Sequence, residues 1–175
     1  MWYVIQVNTG KEANICAQCK QNISSDILQD CFVPYYEESR KVNGVRIKRN
    51  RILFPGYVFL VTEDVKALFI ALKGIKGMTK LLGVGDDIVP ITSKEERLLQ
   101  RFITKTEDET IVEMSTGIIE GEQVIVTEGP LMGMEGYIRK IDRHKRKAWL
   151  ELEMFGRLQR VEIGLEIVEV RNPKD

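Results

Sequence analysis

Two compact runs of basic residues are the part of this sequence with the clearest capacity for chemistry. The run Arg40–Arg51 (RKVNGVRIKRNR) has six basic residues and no acid, and the run Arg139–Lys147 (RKIDRHKRK) has six basic residues and one acid. Lysine and arginine side chains neutralise phosphates, so both runs predict contact with a nucleic-acid backbone. A solvated hairpin is the alternative for either run taken alone.

The total charge conceals these runs. The 175 residues include 26 Lys+Arg and 26 Asp+Glu, a formal net charge of zero, which by itself argues against a nucleic-acid binder. The two runs carry local charges of +6 and +5, so the remainder carries −11. Because patches decide electrostatic partners more than the total does, nucleic acid stays a predicted partner.

Residues for catalysis or metal binding are sparse. His144 is the one histidine, and no nucleophile–base pair or P-loop accompanies it. Asp86-Asp87 resembles a carboxylate pair, but its Gly-flanked loop favours a solvated turn. Cys16-x-x-Cys19 could form zinc ligands with Cys31 and His144, although reduced thiols on a helix face are the better interpretation. We predict no enzyme activity, metal or cofactor.

The cysteine count and the hydropathy indicate a compartment. An odd number of cysteines, three, suits a reducing cytosol better than a disulfide framework. No run approaches the ~18 apolar residues of a membrane span, and the N-terminus lacks the features of a signal peptide. We therefore expect a cytoplasmic protein with no membrane partner.

The first hundred residues alternate strand and helix signals. Strands are predicted over 2–8, 31–37, 52–61 and 78–82, with a hairpin at Asn43-Gly44. Three helices are predicted: one with Ile15, Cys16, Cys19 and Ile23 on its buried face, one from Asp64 with Val65, Leu68, Phe69 and Leu72 on one face, and one opened by the capping box Ser93–Glu96.

The rest of the chain changes character. Residues 105–117 carry one base and four acids without a sustained period, which predicts an exposed acidic linker. Short strand-like runs follow at 123–127, 136–141, 148–154, 158–163 and 167–170, typical of a small β-barrel. The predicted domains are 1–104, an α+β unit with a four-stranded, mainly antiparallel sheet and about three helices, and 118–175, an all-β barrel.

The strand 52–61 predicts a surplus aromatic face. Tyr57 and Phe59 point to the same side of this strand, with Phe54 at the neighbouring Pro-Gly bend. If three helices cover one side of the sheet, the other side exposes these rings and is typical of a protein interface. Burial in the core is the alternative.

Several segments together resemble NusG-type transcription elongation factors. The opening WYVIQVNTGKE, FVP at 32–34 and LFPGYVFL at 53–60 are similar to the N-terminal (NGN) domain of that family. GEQVIV, GPLMGMEGYI and MFGRLQRVEI in the second half are similar to its SH3-like KOW barrel. The RHKRK run and Leu131, where an aromatic is common, resemble the specialised LoaP-type branch.

The resemblance implies partners and roles. The first domain would bind the clamp helices of RNA polymerase through Phe54, Tyr57 and Phe59, supported by Trp2. Tyr57→Ala is then expected to weaken that binding and leave the fold intact. The first basic run would face upstream DNA and the non-template strand, through Arg46, Lys48, Arg49 and Arg51.

The second basic run predicts an RNA site. Its phosphate contacts, to a nascent leader hairpin, are assigned to Arg139, Lys140, Arg143, His144, Lys145, Arg146 and Lys147. A loop of Leu131, Met132 and Phe155 could still bind a ribosomal protein or Rho, as in the general factor.

The expected function is therefore processive antitermination at particular operons by a monomer recruited through RNA or DNA. A general elongation factor, and an RNA- or ribosome-binding KOW protein without polymerase contact, are the alternatives.

Overall fold

The chain divides into two units, each assembled from two separated segments. Met1–Val33 and Phe54–Arg97 form the first unit, and Pro34–Leu53 and Leu98–Asp175 form the second. The first basic run therefore belongs to the same unit as the second run. The predicted domains, 1–104 and 118–175 with a linker at 105–117, are segments expected to fold independently. This division into units does not test independent folding, so those boundaries stay a prediction. This computed structural model describes residues 1–81 and 90–172, so Asp86-Asp87 lies outside the described residues.

Strands outnumber helices among the secondary-structure elements of the described residues. In chain order, these elements are β1 (Trp2–Val7), α1 (Glu12–Asn22), β2 (Asp30–Phe32), β3 (Tyr35–Val42), β4 (Val45–Ile52), β5 (Tyr57–Val61), α2 (Val65–Leu72), β6 (Met78–Leu81), α3 (Ser93–Phe102), β7 (Thr104–Lys105), β8 (Thr110–Val112), β9 (Ser115–Glu120), β10 (Gln123–Glu128), a 3₁₀ helix (Glu135–Tyr137), β11 (Ile138–Asp142), β12 (Lys147–Met154) and β13 (Arg157–Arg171).

An antiparallel sheet forms the centre of the first unit. Its strand order is β2-β5-β1-β6, and Val4 lies opposite Phe59 at the middle of the β1–β5 pair. Helix α1 buries Ile15, Cys16 and Cys19, as their spacing predicts. This apolar face, with the buried residues of β1 and β5, forms the core of the unit.

The buried face of helix α2 is narrower than expected. The Asp64 side chain accepts a hydrogen bond from the Ala67 amide at 3.0 Å and caps the helix. Leu68 and Leu72 are buried, but Phe69 is 42% exposed. A short helix buries a narrow stripe, so the adjacent ring lies outside it.

The start of helix α3 uses a different capping pair from the one expected. The Thr92 amide donates to Glu95 Oε2 at 2.9 Å, and the Glu95 amide donates to Thr92 Oγ1 at 3.1 Å. These reciprocal bonds are a capping box one residue before the expected Ser93–Glu96 pair. The expected pair is wrong. Thr92–Glu95 and Ser93–Glu96 both match the capping-box pattern S/T-x-x-E, and the sequence alone does not show which of the two forms the cap.

Two sheets form the second unit. One has the order β4-β3-β8-β7, and the other has the order β10-β9-β13-β12-β11. Each contains one parallel pair, β3–β8 and β9–β13, among antiparallel ones. Among residues 1–81 and 90–172, the α+β class with three α-helices and mixed sheets is thus confirmed.

Within the expected acidic linker, residues 105–109 are exposed, but the expected exposure is wrong for the part that forms β8 and the start of β9. Thr110, Ile111 and Val112 form β8, and all three are buried. Strand β9 begins at Ser115, which is fully buried. The high acid content hid the β-branched triplet Thr-Ile-Val, which is what pairs with β3.

Strand β13 joins two expected strands through a glycine. The runs 158–163 and 167–170 are one strand of 15 residues with Gly164 inside it. A Cβ at Gly164 would lie 2.5 Å from the Glu37 carbonyl oxygen of β3. Glycine at this position therefore lets β3 approach β13 closely.

No helix within 1–81 and 90–172 is long and apolar enough to cross a membrane.

Gly164→Ala is expected to lower the free energy of unfolding by about 1–3 kcal/mol, because the new methyl group overlaps the Glu37 carbonyl. Urea unfolding followed by circular dichroism measures this change. Gly136→Ala is the matched control, since a Cβ there meets nothing within 4 Å and should change stability by less than about 0.5 kcal/mol. Equal stability of the two variants would contradict the close approach.

Candidate nucleic-acid interface

The first basic run forms the end of β3, the turn and most of β4 in a long hairpin. Strands β3 and β4 pair over their whole length, from Tyr35 opposite Ile52 to Val42 opposite Val45. Asn43 and Gly44 have φ of 50° and 80°, as a two-residue hairpin turn with two left-handed positions requires. The hairpin signal at Asn43-Gly44 is confirmed, and the acidic start of β3 lies opposite the basic end of β4.

Glu38 is the centre of an ion cluster that sequence reasoning missed. Its side chain is 5% exposed and receives Lys147 Nζ at 2.6 Å, Arg49 Nε at 2.5 Å and Arg51 Nη1 at 3.6 Å. Lys147 also lies 3.2 Å from Glu162 Oε2. The cluster therefore joins the hairpin to β12 and β13. The sequence feature that could have indicated the cluster is the acidic pair Glu37-Glu38, which stands just before the basic run.

Tyr36 and Glu162 extend the cluster. The Tyr36 hydroxyl donates to Glu162 Oε2 at 2.9 Å, and Trp149 Nε1 donates to Glu162 Oε1 at 3.3 Å. Lys147 lies opposite Gly164 in the β12–β13 register. Gly164, which allows β3 to approach β13, thus lies beside Lys147, which pairs with Glu38.

The pKa values reflect these contacts. Burial alone would raise the pKa of Glu38, but hydrogen bonds from Lys147 and Arg49 outweigh it and lower the pKa to about 2. The pKa of Glu162 is lowered in the same way, with burial outweighed by hydrogen bonds from Tyr36 and Lys147. Burial and the bond to Glu162 raise the pKa of Tyr36. Both carboxylates are therefore ionised at neutral pH.

A second contact joins the two basic runs directly. Arg46 Nη2 donates to the His144 carbonyl oxygen at 2.9 Å, and its Nη1 donates to Ser39 Oγ at 3.2 Å. Arg46 is half-buried, unlike its neighbours Val45 and Ile47. The expected DNA-facing and RNA-facing residues thus meet in one unit.

The turn between β11 and β12 orders the second run. The Lys145 amide donates to Asp142 Oδ1 at 3.0 Å, which lowers the pKa of Asp142. Arg146 has φ of 53° and pairs with Glu166 at 3.4 Å. Arg139 pairs with Glu151 at 3.3 Å.

Lys140 Nζ lies 5.0 Å from the centre of the Trp149 ring. This cation–π contact occupies one face of the ring.

The expected exposure of the aromatic face is wrong. Phe54, Tyr57 and Phe59 are 2%, 5% and 0% exposed. Phe59 stacks on Phe32 at 5.2 Å and contacts Trp2 edge-on at 6.3 Å. Rings from neighbouring strands fill this face themselves, which a count of covering helices cannot reveal. Tyr57→Ala would therefore also leave a cavity and lower the stability, while the expected intact fold stays a prediction.

The expected protein-partner loop is divided. Leu131 is fully buried, and its amide donates to Ser115 Oγ at 3.0 Å, so it belongs to the core. Met132 is 53% exposed and Phe155 is half-buried at φ of 59°. Only the last two present surface to a partner.

The three cysteines are buried thiols. Hydrogen bonds with Cys31 lower the pKa of Cys16 and of Cys19, and the same bonds together with burial raise that of Cys31. In the described part of the chain no group of three or more His, Cys, Asp or Glu side chains is arranged to hold a metal ion.

Comparison with known proteins places the chain in a family. The family model described as "Transcription termination factor nusG" matches residues 1–100. The chain belongs to the NusG family. The resemblance of its segments to that family is thereby confirmed.

Relatives and a solved structure extend the match over the second half. The chain is 29% identical to the "Transcription termination/antitermination protein NusG" of Pasteurella multocida, covering 98% of this chain and 95% of that protein. It is 28% identical to that of Escherichia coli K12, covering 96% and 94%. The fold is similar to that in "Domain interaction in Thermotoga maritima NusG", with a TM-score of 0.52, 17% identity and coverage of 93% and 92%.

Glu38→Gln is expected to destabilise the protein by about 2–4 kcal/mol at pH 7, because Lys147 and Arg49 lose a buried anionic partner. The pH dependence of the free energy of unfolding should also change. The pKa of Glu38 in the folded chain lies below its ordinary value of 4.5, so its stabilisation is complete above pH 4.5 and is lost as pH falls towards 2. Urea unfolding at pH 7, 5 and 3 should show a smaller acid loss in the variant.

Glu37→Gln is the matched control. Glu37 pairs at 3.7 Å with Lys48, whose side chain is 73% exposed, so its loss should cost less than about 1 kcal/mol. Equal destabilisation by the two substitutions, or an unchanged acid dependence in Glu38→Gln, would contradict the role given to Glu38.

Proposed function

We propose that this protein is a specialised elongation factor that binds RNA polymerase and promotes processive antitermination at particular operons. The relatives named as termination/antitermination proteins support the general activity over the whole chain. The LoaP-type specialisation, with a NGN-like domain and a KOW barrel formed by the sheet of β9 to β13, is part of this proposal. The protein acts as a cytoplasmic monomer without a cofactor.

One observation carries the specialised part. The turn at 143–145 exposes Arg143, His144 and Lys145, and the nearby acid Asp142 accepts the Lys145 amide. Within 1–81 and 90–172, the Arg143 guanidinium has no hydrogen bond or ion pair. A fold-stabilising turn does not need such exposed cations, whereas a phosphate backbone binds them. This favours recruitment through a leader RNA.

Polymerase binding is assigned to the aromatic face of the first unit. Trp2 is the half-buried member of the group, and it packs at 5.1 Å against Phe32. Phe54, Tyr57 and Phe59 are buried, so direct contact of their rings with the clamp helices requires this face to be uncovered. Aromatic side chains are the class that dominates such interfaces once they are exposed.

A general elongation factor is the second candidate. Met132 and Leu158 are 53% and 64% exposed, and apolar side chains at the surface suit a ribosomal protein or Rho. An RNA- or ribosome-binding protein without polymerase contact is the alternative of another class. It would use the same basic turn but no aromatic face.

A transcription assay separates these candidates. Multi-round transcription is run with and without the protein, on templates that either carry or lack a structured leader before a terminator. Readthrough that depends on the leader is expected. Readthrough on both templates would favour the general factor, and no effect on either would favour the third candidate.

Trp2→Ala is expected to weaken binding to core RNA polymerase at least about fivefold, through loss of an aromatic anchor. Pull-down with purified core enzyme measures this, and thermal unfolding checks that the variant is folded. Phe69→Ala is the matched control, because Phe69 is an exposed ring on α2 outside the proposed face. Unchanged binding by folded Trp2→Ala would contradict the assignment.

A further inference from the structure

The acids around the two basic runs divide their cations into two classes. Six cations are already paired: Lys48 with Glu37, Arg49 and Arg51 with Glu38, Lys147 with Glu38 and Glu162, Arg146 with Glu166, and Arg139 with Glu151. A carboxylate partner offsets part of a cation's charge and occupies part of its donors, so the cation attracts a phosphate less strongly. These six contribute less to nucleic-acid binding than their number in the sequence indicates.

The other class is exposed and lies at two adjoining places. Arg40 and Lys41 lie at the end of the hairpin, and Arg143 and Lys145 lie in the β11–β12 turn. In the part of the chain that the structure describes, none of these four side chains has a hydrogen bond or ion pair. The Arg46–His144 bond of 2.9 Å connects the hairpin end to the turn.

We propose that residues 40–46 and 143–145 form one continuous phosphate-binding strip, which contacts a single folded RNA. This inference rests on the proposed function, since it describes how the recruiting RNA is bound. It replaces two separate sites, one for DNA and one for RNA, by one site. Arg46 positions the two parts, because its guanidinium is already used by Ser39 and His144.

The strip suits a folded RNA better than an unpaired strand. Single-strand binding uses aromatic rings on which bases stack. Trp149, on the strand that follows the turn, is half-buried, has Lys140 over its ring and donates its Nε1 hydrogen to Glu162. With that ring occupied, binding depends on phosphates, which a compact RNA stem and loop present from several directions to two adjacent loops.

Two paired substitutions test the strip without polymerase. Arg40→Ala/Lys41→Ala and Arg143→Ala/Lys145→Ala each remove two exposed cations. Affinity for a fluorescein-labelled RNA stem-loop is measured by anisotropy over a range of salt concentrations. Each pair is expected to weaken binding about tenfold or more and to lower the salt slope by roughly 2, because each lost phosphate contact lowers it by roughly 1.

Arg157→Ala/Arg160→Ala is the matched control. It removes the same charge from the same unit, but from β13, where Arg157 lies opposite Met154 and Arg160 lies opposite Glu151. These positions are about 24 and about 14 Å along β12 from Lys147. Affinity and salt slope should change little. Arg46→Ala should weaken RNA binding more than the control does, whereas the circular dichroism spectrum stays that of the parent protein.

Three results would overturn the strip. The first is that Arg40→Ala/Lys41→Ala lowers the affinity for duplex DNA but not the affinity for the RNA stem-loop, as two separate sites would require. The second is a control that loses as much affinity as the strip variants. The third is binding to a DNA duplex or an unstructured RNA that equals binding to the stem-loop. None of these results affects polymerase pull-down, so the strip and polymerase binding fail independently.

Discussion

The buried carboxylate of Glu38 is the constraint on which the second unit depends. A carboxylate that is 5% exposed is stable only with compensating charges, and Lys147, Arg49 and Arg51 supply them. Lys147 comes from β12, whereas both arginines come from β4, so charge compensation fixes the hairpin against the sheet. Gly164, opposite Lys147, removes the side chain that would keep Glu37 away. One ion cluster and one glycine thus determine where the first basic run lies.

This arrangement changes the meaning of the neutral total charge. The sum of zero comes partly from pairs such as Lys147–Glu162, which are formed inside the unit and present little field outside. A local charge of +6 over 40–51 counts Arg49 and Arg51, whose charge Glu38 partly offsets. The electrostatic surface is therefore set by which acids lie nearby in space, and much less by the composition of each run.

Local signals in the sequence predicted local structure well. The Asn43-Gly44 hairpin, the buried face of α1 and the cap of α2 follow from turn chemistry and periodicity, which need only neighbouring residues. The ion cluster could not be predicted in this way, because Glu38 and Lys147 are more than a hundred positions apart. The strand at 110–112 was missed for the same reason: its partner β3 lies far upstream, and only pairing distinguishes it from a linker.

The aromatic face shows why residue type alone does not separate a core from an interface. Phe54, Tyr57 and Phe59 have the composition expected of either, and in this structure ring–ring contacts such as Phe32–Phe59 at 5.2 Å bury them. Any partner that uses these rings has to replace those contacts with contacts of its own. The binding free energy contains only the difference between the contacts made with the partner and the ring–ring contacts that are lost. A large aromatic area can therefore give modest affinity. The half-buried Trp2 needs the least replacement, which makes the edge of the face the favourable place for a first contact.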